Sequence, residues 1–252
     1  MIFEGETLTE SWLKVLVHMS ENKSWEITPA ITKFKTTKSQ PEKYQHELEN
    51  DLNEYLESVN QPKIHTTAGT IFPDSLDGGS NTVFERFDKT WKYIKKDHRN
   101  NKGHYFRRMV AYNEKNGEPV NQLQHIIETY NGIEGKRQPV HRRSALIALT
   151  FDPTLDHTAQ PQRGFPCLQQ VCFVPKKNGA MAMNAIYATQ HLDDRAYGNY
   201  LGLLNLGQFM AREMSLELTE INCIASILRV GTMNKSFAHK LAEKYKDHVK
   251  KK

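Results

Sequence analysis

Cys167 is the residue in this sequence best suited to covalent chemistry, and it ends the segment RGFPC at 163–167. A cysteine thiolate is a strong nucleophile, but a nearby positive charge is needed to lower the pKa of the thiol. Arg163 lies four residues upstream, and the adjacent Arg142 and Arg143 lie in an earlier segment. Because cysteine is also one of the most frequently buried residue types, the alternative interpretation of Cys167 is an ordinary core residue.

Two other groups have the chemistry to recognise a nucleotide. Adjacent arginines in a loop can hold a phosphate through forked hydrogen bonds, although Arg142 and Arg143 are also consistent with two solvated charges. Asn199 opens the clearest helical pattern, where it could serve as an N-cap. Its carboxamide also offers a donor and acceptors that match the N3–H and O4 edge of uracil. Cytosine presents an amino group at C4 and an unprotonated N3, so Asn199 favours a uridine-type base.

The spacing of apolar residues predicts a single α+β domain around a large sheet. Predicted helices cover residues 7–19, 41–59, 83–94, 120–130, 197–214 and 236–249, and predicted strands cover 105–112, 144–151, 168–174, 180–187 and 216–227. The Asn-Gly turn at 178–179 predicts a hairpin between the strands on either side of it. Residues 28–39 are predicted as a loop or edge strand, and residues 64–73 as extended.

These groups follow one another in an order that resembles thymidylate synthases, and more loosely the related pyrimidine nucleotide hydroxymethylases. The resemblance covers about half of the chain, from Gly103 to Ser226. It is carried by Tyr105 with Arg107-Arg108, Gly117, Asn121-Gln122-Leu123, Arg142-Arg143, Phe165-Pro166-Cys167, Tyr187 and Gly198-Asn199. No single one of these motifs is specific to that family, whereas the whole set in this order is. It implies one domain over residues 1–252 with a divergent helical part at 1–60, a large mixed sheet flanked by helices, and a dimer through the sheet.

The resemblance also implies a reaction. The Cys167 thiolate would attack C6 of a pyrimidine nucleotide, and 5,10-methylenetetrahydrofolate would supply one carbon to C5, giving a methyl or hydroxymethyl product. The alternative is a non-catalytic nucleotide-binding or regulatory protein on the same scaffold, because fold alone does not fix function.

Individual roles follow from positions that match the family pattern. Glu85 is the best match by order for the carboxylate that organises water and proton transfer, whereas Glu47 matches the local motif but lies too early; either is also consistent with a plain surface charge. The residues implied to bind substrate are Asn199, Gln169, Tyr105, Arg163, and Arg142 and Arg143 reaching into the partner's site. Trp91 and Asp193 are implied to contact folate, with core packing as the alternative for Trp91. No metal is implied.

The sequence departs from the family pattern where phosphate and sugar would be held. The family's Arg-Ser pair after Tyr187 is replaced by Thr189-Gln190, or by Ala188-Thr189 under a one-residue shift. Its His-x-Tyr is replaced by the stretch 227–230, which contains neither residue. Arg195 or Arg163 could replace the missing arginine. The substrate of such a divergent member need not be ordinary deoxyuridylate.

Composition narrows the function classes further. Hydrophobic residues make up 38% of the chain and charged residues 25%, which is ordinary for a globular protein. No run of 18 apolar residues and no secretory leader pattern is present, so a cytoplasmic protein without membrane contact is expected. The three cysteines lack CxxC spacing, which argues against disulfides and zinc. A net charge of +5 fits small anions and gives little support to nucleic-acid binding.

Overall fold

A computed structural model describes residues 1–36, 42–79, 82–97, 100, 104–113, 117–157 and 165–249. Its helices are α1 Leu8–Asn22, α2 Lys43–Ser58, α3 Ile64–Gly69, α4 Val83–Ile94, α5 Tyr105–Val110, α6 Gln122–Asn131, α7 Pro153–Asp156, α8 Tyr197–Glu213 and α9 Lys235–Tyr245. Its strands are β1 Ile2–Gly5, β2 Glu26–Ile27, β3 Ala30–Lys35, β4 Ile147–Leu149, β5 Leu168–Pro175, β6 Ala180–Tyr187, β7 Gln190–His191, β8 Glu217–Ala225 and β9 Leu228–Arg229.

The strands form a large mixed sheet flanked by helices, which confirms the prediction of an α+β fold with a large mixed sheet. Six strands lie in the order β1-β3-β8-β6-β5-β4, and a three-stranded sheet has the order β2-β9-β7. In the large sheet β1 pairs with β3 and β6 with β8 in parallel, while the remaining neighbours are antiparallel. Residues 1–60, expected to be helical, therefore also supply two strands of the large sheet.

The predicted hairpin between β5 and β6 is present. Asn178 and Gly179 both have positive φ, at 60° and 73°, and form the turn between the strands. Two consecutive residues of this kind give the turn whose twist matches a hairpin. The β5 strand that follows Cys167 is therefore fixed by pairing with β6, and β6 by pairing with β8.

Helix α8 is the central helix of the core and is buried along almost its whole length. Helix α3 packs closely on its first turns. A Cβ atom at Gly202 would lie 2.6 Å from the Ala68 carbonyl oxygen, so only glycine permits this approach. This contact fixes the end of α8 that carries Asn199.

Two local predictions are wrong. Residues 64–73 contain helix α3 instead of an extended segment, and residues 105–112 contain helix α5 instead of a strand. Both helices have six residues, too few to display a helical period in sequence. Their residue types, including threonine, isoleucine and aromatics, favour strands, but packing overrides that preference. Phe106 and Met109 are buried on one side of α5 with helical spacing.

Strand β3 also differs from the loop or edge strand expected at residues 28–39, because it lies between β1 and β8 in the large sheet.

Among the described residues, no helix is long and apolar enough to cross a bilayer.

One face of the large sheet is only partly covered. On β5, β6 and β8 fully buried side chains alternate with half-buried ones. The half-buried row includes Asn184, Ile186 and Ile224, and on β4 Ile147 and Leu149 are 37% and 38% exposed. We call this surface, defined by these five residues, the open sheet face.

Candidate active site

Cys167 lies directly before β5, at an irregularity in the pairing of β5 with β6. The register shifts between Leu168 and Gln170, and bulges of this kind re-aim side chains near functional sites. The Cys167 carbonyl accepts a hydrogen bond of 2.9 Å from the Ala188 backbone N–H. The sulfur is half-buried, 3.9 Å from the Phe165 carbonyl oxygen. Its backbone is therefore fixed while its thiol keeps some access to solvent.

Burial and the neighbouring positive charges change the pKa of the Cys167 thiol in opposite directions. Burial raises its pKa, because it disfavours the charged thiolate. Arg195 lowers the pKa, Asp194 raises it and Arg229 lowers it, in decreasing order of effect, and the balance is a raised pKa. The two arginines supply the positive field that a nucleophilic cysteine requires, but in this arrangement they do not overcome burial.

Arg195 and Asp194 come from one turn of π-helix, Leu192–Ala196, which we call the π-turn. It follows β7 and runs directly into α8. Single turns of π-helix are rare and occur frequently at functional sites. Arg195 donates a 3.0 Å hydrogen bond from Nη2 to Gln61 Oε1, which orients its guanidinium. Two arginines were suggested as substitutes for the missing one. Arg195 lowers the pKa of the Cys167 thiol, and Arg163 lies outside the described residues.

Arg229 was missed in the sequence. It lies on β9, in the stretch that lacks the family's His-x-Tyr, and it influences the Cys167 thiol from there. Its positive charge was a usable signal, but the pairing of β9 with β7 was not predicted.

Asp193 joins the π-turn to the loop after β9. Its carboxylate accepts hydrogen bonds from the backbone N–H groups of Gly231 at 2.5 Å and Met233 at 2.6 Å. The Thr232 hydroxyl lies 3.4 Å from the same group. Both carboxylate oxygens thus hold this loop, and the implied folate contact of Asp193 stays a prediction.

Asn199 lies inside the first turn of α8 and is not its N-cap, which is Ala196. The residue is 4% exposed. Its carboxamide carries both a donor and an acceptor with which it can bind a polar ligand. The structure thus removes the N-cap alternative, and the base-reading role stays a prediction.

Tyr105 and Tyr187 lie beside Leu168, the residue after Cys167, and Gln190 accepts a hydrogen bond from Tyr200 on α8. Tyr105 accepts a long hydrogen bond of 3.5 Å from the Leu168 N–H, and burial raises its pKa. The hydroxyl of Tyr187 and the Nε2 atom of Gln190 are buried without a hydrogen-bond partner. Each such atom costs about 1–3 kcal/mol unless a water or ligand satisfies it.

The remaining predicted site residues are more peripheral. Gln169 donates from Nε2 to the Pro166 carbonyl, so it supports the segment that carries Cys167. Glu85 on α4 is exposed, and Glu47 is exposed and 3.5 Å from Lys43. Arg142 and Arg143 are exposed just before β4.

Trp91 is half-buried in a cluster of aromatic and basic groups. Its ring centre is 5.2 Å from that of His104, and the Arg107 guanidinium lies 5.3 Å from the indole. Burial lowers the pKa of His104 to about 4, and its Nδ1 atom has no hydrogen-bond partner among the described residues. The cluster fits both core packing and stacking against a ligand ring.

Two surface clefts lie away from all of these residues. One of about 420 Å³ is bounded by β1 and α1, and one of about 570 Å³ lies along residues 131–139. Neither is lined by any residue considered above, so neither carries the chemistry of Cys167. Within the described part of the chain, no group of three or more His, Cys, Asp and Glu residues could hold a metal.

Replacing Arg195 by Gln is expected to raise the pKa of the Cys167 thiol further, because the thiolate loses its strongest positive neighbour. The measurement is the rate of alkylation of Cys167 against pH, with the modified residue identified by mass spectrometry. Arg212→Gln is the matched control, because Arg212 lies at the far end of α8 and pairs with Asp77. Equal alkylation profiles for the two variants would contradict the assignment.

Comparison with known protein families gives no family model that matches this chain, and comparison with curated proteins gives no match either.

Proposed function

We propose that this protein transfers one carbon from 5,10-methylenetetrahydrofolate to C5 of a uridine-type nucleotide, with Cys167 as the nucleophile. The observation that carries the proposal is the set of groups around one sulfur: a half-buried Cys167 at a strand irregularity, under the influence of Arg195 and Arg229. The ordered motifs that resemble thymidylate synthases support the same reaction.

In this mechanism the Cys167 sulfur bonds to C6 and the C5=C6 π electrons move toward O4, which makes C5 nucleophilic. Arg195 and Arg229 stabilise the thiolate before the attack and after its release. The Asn199 carboxamide donates to O4 and accepts from N3–H, which stabilises the charge that develops on the ring. Folate, when bound, supplies the carbon for C5; methyl and hydroxymethyl products are both compatible with these residues.

The Trp91 cluster is the part of the chain that fits folate. A half-buried indole can stack on an aromatic ring, and the nearby His104 leaves a buried nitrogen without a hydrogen-bond partner. Asp193 would contribute by holding the loop at 231–233, since both of its oxygens already bond there.

A homodimer through the open sheet face completes the proposal. Partly exposed apolar side chains across several strands are typical of a surface that another chain covers. Arg142 and Arg143 lie at the start of β4, an edge strand of this sheet, with their side chains exposed. From that position they would reach the partner's site and bind its phosphate.

The test offers the protein uridine and deoxyuridine nucleotides labelled with tritium at C5, together with methylenetetrahydrofolate. Release of tritium to water is expected, with loss to background in Cys167→Ser because no C6 adduct can form. Cys172→Ser is the matched control, since Cys172 is also half-buried on the same part of the chain and should leave release intact. Formation of dihydrofolate would identify methyl transfer.

The second candidate function is a regulatory nucleotide-binding protein. It is favoured by the raised pKa of Cys167 and by the exposed position of Glu85. Nucleotide binding without tritium release from any labelled pyrimidine would support this function and overturn the transferase.

A further inference from the structure

The exposed side of helix α4 carries an aromatic ring among lysines. We call it the α4 lysine surface, defined by four exposed residues: Lys89, Lys92, Tyr93 and Lys96. Their spacings of three and four residues place the side chains on one face of the helix. The Lys96 backbone N–H donates to the Tyr93 carbonyl at 3.1 Å, so the helical path continues one turn past Tyr93.

The ring of Tyr93 is open to solvent. Among the phenylalanine, tyrosine and tryptophan residues that the structure describes, it alone is exposed, at 61%. Lys92 Nζ lies 5.0 Å from the ring centre and Lys96 Nζ 5.5 Å. Such contacts are weak at exposed sites, so both ammonium groups can turn to a ligand. The ring is therefore not part of the core and is available for stacking.

The positive charge of this surface is concentrated and unbalanced. Residues 86–97 contain five basic and two acidic side chains, a net charge of +3, whereas the whole chain carries +5. One of the two acidic residues, Asp88, pairs with Arg107 at 2.9 Å. Among the described residues, the lysines that form salt bridges with carboxylates are Lys14, Lys33, Lys35, Lys43, Lys63, Lys176, Lys244 and Lys246. The lysines of the α4 lysine surface are not among them, so their charge is available to a polyanion.

The opposite face of α4 is packed against the core. Val83 and Phe87 are fully buried, and the ring centres of Phe87 and Phe106 are 4.7 Å apart. A helix that lies on a bilayer inserts its apolar face, and α4 has no free apolar face to insert. Lysines near a helix C-terminus also favour the helix dipole, which accounts for Lys92 but not for the exposure of Tyr93.

We propose that the α4 lysine surface binds single-stranded nucleic acid, a partner beyond the nucleotide of the proposed function. The lysines neutralise phosphates, and an unpaired base stacks on the Tyr93 ring. In a duplex the faces of the bases are covered by their neighbours, so the ring selects a single strand. An acidic peptide would use the lysines and leave the ring without a role. The net charge of the chain gives little support to nucleic-acid binding, whereas lysines gathered around an exposed ring favour it.

The test measures the fluorescence anisotropy of labelled oligouridylate and oligothymidylate of about 12 nucleotides, within the site sizes of single-strand-binding proteins. RNA and DNA share the phosphates and the base rings, and the tighter ligand identifies the source. Tyr93→Ala should weaken binding about tenfold or more, because one stacked base is lost. Tyr93→Phe should bind like the wild type, because it keeps the face of the ring.

The contribution of charge is tested by two triple variants with the same loss of charge. The first changes the α4 lysine surface, by Lys89→Gln, Lys92→Gln and Lys96→Gln. The matched control changes exposed lysines on other elements, by Lys177→Gln, Lys235→Gln and Lys240→Gln. Only the first should reduce the dependence of log affinity on log salt concentration, by about 2 in slope, since each lost phosphate contact contributes about 0.7. Equal changes in the two variants would overturn the proposal.

Other results would also overturn it. These are no binding of either oligonucleotide, equally tight binding of a polyglutamate peptide, and equally tight binding of phosphatidylserine vesicles. Displacement of the oligonucleotide by excess uridine or deoxyuridine monophosphate would place binding at the candidate site instead. Cys167→Ser should bind oligonucleotides like the wild type, so failure of the transferase would leave this result unchanged.

Discussion

Asp156→Ala is expected to destabilise the protein by about 3–5 kcal/mol, because it removes the buried carboxylate to which the Arg108 guanidinium donates twice. Arg108 donates to both carboxylate oxygens of Asp156, at 2.6 Å and 2.9 Å. The Asp156 side chain is 1% exposed and that of Arg108 12%. Arg108 also donates to the Thr150 carbonyl at 2.8 Å, and Asp156 accepts from the Asp152 N–H at 2.8 Å.

The effect should extend to the candidate site. Thr150 donates its hydroxyl hydrogen to the Leu168 carbonyl, directly after Cys167, and Arg108 lies on α5 with Tyr105. The ion pair therefore joins α5 to the start of β5. Loss of Asp156 should loosen the backbone that presents the nucleophile.

The measurement is the free energy of unfolding from chemical denaturation. Asp88→Ala is the matched control, because Asp88 pairs with Arg107 at 2.9 Å but is 73% exposed, so about 0–1 kcal/mol is expected. Destabilisation of Asp156→Ala by no more than the Asp88→Ala value would contradict the role given to this pair.

Mixing Arg142→Ala chains with Cys167→Ser chains is expected to restore tritium release that neither parent has. In the proposed dimer each site takes Cys167 from one chain and Arg142 with Arg143 from the other. A mixed dimer then contains one site with both groups intact. Random reassortment of two-fold dimers should restore about a quarter of the wild-type sites.

The control mixes wild-type chains with chains that carry both substitutions. Their mixed dimers have no intact site when the arginine acts across the interface, but one intact site when it acts within its own chain. Wild-type homodimers in this control supply about a quarter of the sites under either arrangement, and the mixed dimers add about another quarter only when the arginine acts within its own chain. Release from about half of the sites in the control, together with none in the test mixture, would show that Arg142 serves its own chain. Both parents must first be confirmed as folded dimers by sedimentation and circular dichroism.

The parts of the fold that the sequence predicted are those with strong local signals. Helix α8 has a long apolar pattern, and the β5–β6 hairpin has an Asn-Gly turn whose two residues adopt positive φ. Helices α3 and α5 were mistaken for extended segments because six residues cannot display a helical period, and their burial depends on distant partners.

Some residues of the candidate site could likewise be predicted from the sequence, and others could not. Cys167 and Asn199 could be selected by residue type and order along the chain. The contribution of Arg229 could not, because Arg229 lies 38 residues from His191 in the chain and the two meet only when β9 pairs with β7. The π-turn that carries Asp194 and Arg195 has no established sequence signature.

The bonds that Asp193 makes to the loop at 231–233 have a consequence for how charge is arranged before any ligand arrives. They lock the turn bearing Arg195 to the connection that follows Arg229, so both cations are set in position when the chain folds. An environment organised in advance needs no reorientation as negative charge develops on sulfur or substrate. The free energy needed to order these groups therefore belongs to folding, and it does not weaken the binding of a ligand.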